Sequence, residues 1–446
     1  MSTMDVSFKP VVPSLEEIHG SVATPPSSAG FWTKWRAFAG PALLVSVGYM
    51  DPGNWGTDLQ AGAQFRYALL WVVAAASAMA IVMQVCAVRL GVVTGKDLAQ
   101  ACRDFYPRWT RWPNWLTCEA AIAACDLAEV LGGAVALNLL FGIPLFWAVV
   151  VTAFDVLLLL SLRGMGVRVI ESVILVLVAT IGACFFLEIF VLPHTRPDFL
   201  EIGRALARPG FGGAEGIALA VAIVGATVMP HNLYLHSALV QTRRHGRDAA
   251  SIRTALRFNA LDSVVALTLA FFVNAAILIL AAMVFNGRGE FPADTDWIRE
   301  AYRTLAPVMG TALASVLFAL ALLASGQSST ITGTMAGQVV MEGFMNWRLR
   351  PWLRRLVTRL LAVVPAVIII GLHGGEGVTG LLVLSQIVLA LQLPFAMIPL
   401  LQFTGSRRIM GRFANGWFLH VAGWGTCVLI TGLDVLMLAA AVLHRG

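Results

Sequence analysis

Charge is scarce in this sequence. Of 446 residues only 13% are Asp, Glu, Lys or Arg, while 58% are hydrophobic and the mean hydropathy is +0.78; soluble domains carry roughly 25% charged residues. Such a chain cannot present a polar surface all round, which excludes a soluble globular protein and places it in lipid. Other absences narrow the chemistry. The six cysteines (Cys86, Cys102, Cys118, Cys125, Cys184, Cys427) contain no CxxC pair, and nearly all lie in apolar runs, so they read as packing residues and not as a disulfide framework or a zinc site. No HExxH motif occurs, which argues against an intramembrane metalloenzyme, and no enzymatic activity is expected. The first 30 residues are polar, Pro- and Ser-rich and lack an apolar h-region; residues 1–35 are therefore expected to be a disordered tail and not a cleaved signal peptide. The net charge of +6 and pI near 9.2 do not indicate nucleic acid, because the basic residues are dispersed in short clusters between apolar runs.

What is present is long apolar sequence. A membrane-crossing helix needs about 20 apolar residues. Runs bounded by Gly, Pro and charge clusters predict eleven spans near 36–62, 68–92, 115–140, 144–163, 168–192, 212–241, 258–286, 306–340, 354–372, 377–403 and 415–442. This is an all-α integral membrane protein with one transporter-sized domain, 36–442. Arg89, Lys96, Arg103, Arg108 and Arg111, then Arg163 and Arg168, Arg243, Arg244, Arg247, Arg253 and Arg257, Arg348, Arg350, Arg354 and Arg355, and Arg407, Arg408 and Arg412 all fall on the side of Lys34 and Arg36. The positive-inside rule makes that side cytoplasmic, and an odd number of spans puts the C-terminus outside.

Spans one and six are interrupted alike, by GYMDPGNW at 48–55 and ATVMPHN at 226–232. Two five-span units opening with broken helices, about 36–192 and 212–403, must run in opposite directions; this is the pattern of an inverted-repeat transporter with a midplane site, followed by an extra helix at about 415–442. Proline removes a helix hydrogen bond to the carbonyl four residues earlier. Pro52 thus frees the Gly48 carbonyl and Pro230 that of Ala226, and in lipid such carbonyls need a partner. Gly53 lets the chain unwind. Asp51, Asn54 and Met229 stand beside these breaks. One carboxylate, one amide oxygen, two backbone oxygens and a thioether form a donor set for a transition-metal cation, since hard ions gain little from sulfur. A Pro in a membrane helix is usually only a kink and a lone Met usually core, but an Asp at the bilayer centre costs about 2.5–3.5 kcal/mol to insert and is functional by default.

Span three carries Glu119, Asp126 and Glu129, the last two sharing a face, and span six carries His231 and His236. This series reads as a proton relay; Arg354 and Arg355 at the mouth of span nine read either as ordinary topology-setting charges or as the cationic exit partner that an acidic relay needs. A structural polar network is the competing reading, and for Glu119, Asp155, Glu171, Glu188, Asp262 and Asp434 it is at least as good. A sodium-coupled amino-acid carrier of the same architecture would have no use for Met229 opposite Asp51. A channel would need a continuous ring of ligands, usually from several subunits.

The motifs DPGNW at 51–55, DLAEVLG at 126–132, MPHNLYLHSALVQTR at 229–243 and GQSSTITGTMAGQVVMEGF at 326–344 resemble those of the natural resistance-associated macrophage protein (Nramp) family of proton-coupled divalent metal transporters, especially its bacterial manganese branch. The resemblance covers essentially residues 36–442. It implies a LeuT-like fold of two inverted five-helix repeats plus an eleventh helix. By matching positions it implies metal ligation by Asp51, Asn54, Met229 and the Ala226 carbonyl, with the Gly48 carbonyl in some states and Gln386 joining when the outside closes. Asp126, Glu129, His231, Arg354 and Arg355 match positions linked to proton movement. Trp55 stands where Phe or Leu is common, and Cys125 where Thr is frequent. The implied activity is import of Mn2+ foremost, also Fe2+, Co2+ and Cd2+, with protons as co-substrate, across a bacterial inner membrane by alternating access. The expected partners are metal ions, protons and the bilayer, with no nucleic acid, no resident cofactor and a functional monomer.

Overall fold

The computed structural model describes residues 13–26, 28–155, 164–192, 197–285, 295–373 and 378–443. The chain is helical almost throughout: α1 Phe31–Phe38, α2 Pro41–Ser46, α3 Pro52–Phe65, α4 Leu70–Thr94, α5 Leu98–Phe105, α6 Arg111–Phe141, α7 Leu145–Thr152, α8 Val167–Phe186, α9 Phe199–Ala207, α10 Ala214–Thr227, α11 Pro230–Leu239, α12 Ala249–Phe285, α13 Trp297–Met309, α14 Ala312–Met345, α15 Pro351–His373, α16 Val378–Gly405 and α17 Trp417–Leu443. Among the described residues eight helices are long and apolar enough to cross a membrane.

Both predicted interruptions are present. Pro41–Ser46 gives way to a 3-10 turn at Val47–Met50, and helix resumes only at Pro52. The second break falls between Thr227 and Pro230. Pro occupies the first position of α3 and of α11, where its missing N–H costs nothing and its fixed φ suits a helix start. Asp51 caps α3 by accepting from the Asn54 N–H at 2.9 Å, so the residue that the sequence marks as a site also builds the helix N-terminus.

Three expectations need correction. Residues 13–26 and 28–35 are not a disordered tail: Val22–Ala23 (β1) pairs in parallel with Arg243–Arg244 (β2), because an edge of backbone after α11 is free to bond them. Span eight does not run through 306–340. Gly310 ends α13 in the left-handed region at φ 70°, and α14 starts afresh at Ala312, capped by the Thr311 side chain. Span seven begins earlier than 258, since α12 runs from Ala249 for 37 residues, about 55 Å at 1.5 Å per residue, and its first turns carry the exposed Arg253 and Arg257. The predicted fourth span, 144–163, lies partly outside the described residues.

Close helix contacts fix the broken helices in the bundle. A side chain at Gly132 of α6 would overlap Pro52 at 2.2 Å, and one at Gly62 of α3 would lie 2.2 Å from the Leu278 carbonyl oxygen and 2.9 Å from the Ala282 nitrogen of α12. The α12 backbone cannot yield as a flexible side chain would, and overpacking typically costs about 1–3 kcal/mol. Gly62→Ala should therefore lower the melting temperature of the detergent-solubilised protein by several degrees. Gly182→Ala, which meets nothing within 4 Å, should leave it unchanged.

Candidate metal site and polar network

The two helix breaks meet through one side chain. The Asn54 Nδ2 donates to Asp51 Oδ1 at 2.6 Å and to the Ala226 carbonyl at 3.1 Å, so residues 172 positions apart share a hydrogen-bonded centre. Asp51, Asn54, Ala226 and Met229 are all buried. Among the described residues Asp51 Oδ2 has no hydrogen-bond partner. Met229 is the N-cap residue of α11, three positions beyond Ala226. Gln386 of α16 lies over Gly53: a Cβ there would be 1.8 Å from Gln386 Nε2 and 3.1 Å from Asp51 Oδ2. Its Oε1 is likewise unpartnered. Gly48 faces Asn232 of α11, whose Nδ2 would lie 2.3 Å from a Cβ; the missing side chain lets the inner half of one broken helix approach the other.

The backbone opened by the first break is largely satisfied by neighbours that composition did not single out. Ser325 Oγ donates to the Met50 carbonyl at 2.5 Å, Trp55 Nε1 to the same oxygen at 3.2 Å, and Asn274 Nδ2 to the Tyr49 carbonyl at 2.8 Å. The break is thus held by α14 and α12. A second buried carboxylate, Asp58, follows Asp51 by seven residues on α3, with its Oδ2 unpartnered. Seven residues are nearly two helical turns, which puts it on the same side of the helix, a placement that no motif in the sequence marks.

The expected relay residues divide into separate groups. Cys125 Sγ lies 3.9 Å from His231 Nε2 and donates to Glu129 Oε1 at 3.7 Å. Glu129 also accepts from Ser329 Oγ at 2.7 Å and from Thr330 Oγ1 at 3.0 Å, both in the fourth sequence motif. Asp126 Oδ1 stands 3.6 Å from Arg359 Nη1, and Arg359 donates through Nε and Nη2 to the Thr152 carbonyl at the end of α7. Arg354 Nη2 pairs with Glu119 at 2.8 Å to both oxygens, and Trp115 Nε1 donates to the same carboxylate at 3.0 Å. The Arg355 side chain lies outside the described residues. His236 does not join His231; its Nδ1 is 2.8 Å from Gln84 Oε1, and Gln84 Nε2 donates to the Tyr49 hydroxyl at 2.6 Å. The five-residue spacing of the two histidines turns them about 140° apart on a helix.

The structural reading holds for several other acids. Asp262 Oδ2 accepts the Gly40 and Ala42 N–H groups at 3.1 and 2.9 Å, and Glu171 pairs with Arg243 at 2.7 Å and Arg168 at 2.9 Å. These two arginines also donate to the Ala37 and Ala39 carbonyls, which caps the C-terminus of α1. Glu188 is buried with both oxygens unpartnered, as is Oδ2 of Asp434, and the Asp155 side chain lies outside the described residues.

Leaving a buried acceptor without its donors costs about 1–3 kcal/mol. The double variant Ser329→Ala with Thr330→Val should therefore lower the melting temperature in detergent, and adding Glu129→Gln, which removes the charge left without those donors, should recover part of the loss.

Known proteins are similar to this chain in sequence and fold. The family described as natural resistance-associated macrophage protein-like (Nramp) matches residues 42–440. The divalent metal cation transporter MntH of Nostoc sp. is 50% identical over 428 residues, covering 96% of both chains. The crystal structure of the Eremococcus coleocola manganese transporter, solved with an aromatic bis-isothiourea substituted compound, superposes with a TM-score of 0.88 at 40% identity and covers 96% of this chain and 91% of that one. Mhp1, a nucleobase-cation-symport-1 family transporter in a closed conformation, superposes with a TM-score of 0.56 at 13% identity, covering 94% and 96%; at that identity the likeness is one of LeuT-like fold alone. With a family match that spans nearly the whole chain and both broken helices in place, the chain belongs to the Nramp family.

Proposed function

We propose that this membrane transporter imports divalent transition-metal ions, Mn2+ foremost and also Fe2+, Co2+ and Cd2+, by alternating access and together with protons. The observation that carries this reading is the centre formed by Asp51, Asn54 and the Ala226 carbonyl, with Met229 at the adjacent helix start. An amide NH2 group is a donor and holds two oxygens together as a cation would. When a metal ion enters, it takes the place of that donor between Asp51 and the Ala226 carbonyl, and Asn54 turns its amide oxygen inward. Met229 supplies the soft donor that Mg2+ and Ca2+ cannot use well. MntH of Nostoc and the Eremococcus manganese transporter are named for such cargo, which supports the same class here.

The orientation follows from charge: the arginine-rich ends face the cytoplasm, the N-terminus is inside and the C-terminus outside the inner membrane. A membrane potential contributes about 2.3 kcal/mol per elementary charge per 100 mV, so a divalent ion is drawn inward before protons contribute. His231, Cys125 and Glu129 form the first leg of the proton route beside the site, Asp126 with Arg359 and Glu119 with Arg354 the later ones. The site needs no resident cofactor, and one chain supplies all its ligands, so the monomer is the working unit.

In proteoliposomes with an inside-negative potential, Asp51→Ala should reduce Mn2+ uptake more than ~10-fold, the factor that corresponds to about 1.4 kcal/mol of lost binding. Excess Mg2+ should not compete; Mg2+ uptake equal to that of Mn2+ rejects the donor-set argument. Met229→Ala should retain Mn2+ uptake and admit Ca2+ or Mg2+, and unchanged discrimination would show that the thioether only packs. Internal acidification should accompany Mn2+ entry and weaken in His231→Ala and Asp126→Asn, whereas unaltered acidification in both removes these residues from the route.

A further inference from the structure

The segment before α1 spans three structural elements at the arginine-rich end. Ser14 Oγ donates to Asp97 Oδ2 at 2.7 Å and accepts from Gln100 Nε2 at 3.3 Å; Asp97 is the N-cap of α5, closing a capping box with Gln100. The Leu15 N–H donates to Glu342 Oε2 at 3.1 Å, near the end of α14. Glu16 forms an ion pair with Arg348. Further along, the Gly20 N–H donates to the Gln241 carbonyl at 3.0 Å, Val22 and Ala23 pair with Arg243 and Arg244, and Thr24 Oγ1 donates to the Arg244 carbonyl at 2.8 Å. These last partners follow α11, the inner half of the second broken helix.

Two features separate this segment from a passive tail. Ser14 and Leu15 are buried, and Leu15 is held at φ 55°, a left-handed conformation that a branched side chain adopts only when its surroundings impose it. The residues it ties together are themselves joined: the Leu98 N–H at the start of α5 donates to Ser237 Oγ of α11 at 2.9 Å, and Gly343 of α14 approaches α5 so closely that a Cβ would lie 2.4 Å from that of Ala99. The segment is therefore laid across the junction of α5, α11 and α14, binding α5, α14 and the Gln241–Arg244 stretch that directly continues α11.

We propose that residues 14–24 form a latch that holds α11 against α5 and α14, and that this latch must detach for the metal site to open to the cytoplasm. The proposal rests on the alternating-access reading above and adds a moving part that the site itself does not contain. Apolar burial of Leu15 in the core, with Ile18 and Val22 packed against it, holds the latch shut together with its hydrogen bonds, while the strained Leu15 backbone opposes that hold and favours release.

The test uses full-length Ala23→Cys with Arg244→Cys in proteoliposomes, a pair in direct register across β1 and β2; the six native cysteines are buried and free. With the cross-link verified by loss of maleimide labelling, oxidised protein should take up Mn2+ more than 10-fold more slowly than the same protein after dithiothreitol. Uptake at equal rates in both states overturns the latch while leaving the transport reading intact, whereas absence of uptake in the reduced protein and in the unmodified chain counts against transport itself. A second measurement frees the segment: Ser14→Asp with Glu16→Arg sets like charges against Asp97 and Arg348. In that background a Ser237→Cys probe should label several-fold faster with a maleimide added from the cytoplasmic side, and an unchanged labelling rate shows that the segment does not hold α11.

Discussion

The hydrogen bonds of one asparagine decide whether two broken helices form a site or two defects. In hydrocarbon an unpaired backbone group costs several kcal/mol, so an interruption in a spanning helix persists only if something nearby accepts or donates in place of the lost bond. At the first break that role falls to Ser325, Trp55 and Asn274. At the second, the Ala226 carbonyl is taken by Asn54, which also holds Asp51. The partner of the second break is therefore a side chain of the first, and what relieves the backbone also gathers the oxygens that a cation can use.

The remainder of the polar interior is arranged around that centre so that each half-helix has its own support. α2 begins at Gly40 and Ala42 with Asp262, while Glu171, Arg168 and Arg243 secure the end of α1. A buried pair of this kind contributes little beyond its desolvation cost when intact, yet leaves an uncompensated charge when one partner is lost. Such contacts favour discrete arrangements over gradual ones. Glu129 also accepts from two hydroxyls and a thiol, which are neutral donors.

The breaks, their prolines and the residues beside them were legible because each breaks a local rule: a proline within an apolar run, or a carboxylate at the bilayer centre. Family resemblance added Gln386, which no local rule marks and which the structure places against Gly53. What was not legible depends on which helices face each other. Arg359 is one of several arginines opening span nine, and only the packing of α15 on α6 distinguishes it from Arg354 as the neighbour of Asp126. Asp58 was hidden by its company, since DLQ after an accepted motif resembles an ordinary helix surface until its burial is known. The N-terminal segment is illegible for a similar reason: its composition is that of a disordered segment, but its Ser14, Gly20 and Thr24 meet donors and acceptors at helix ends 83 to 221 residues away.

The geometry of α11 connects these observations. It has ten residues, about 15 Å at 1.5 Å per residue, with Met229 at one end and the Gln241–Arg244 stretch that receives the N-terminal segment just beyond the other. A helix so short moves as a rigid body, because bending it would break hydrogen bonds that the membrane interior cannot replace. Anything that shifts Met229 relative to Asp51 must consequently tilt or displace the strand edge at Arg243 and Arg244, and anything that pins that edge restrains Met229. Coupling between Met229 and the contacts of the N-terminal segment then needs no chain of side-chain rearrangements. It requires only that one stiff element have its two ends in two different bonded sets, which is how the sequence MPHNLYLHSALVQTR is placed in the fold.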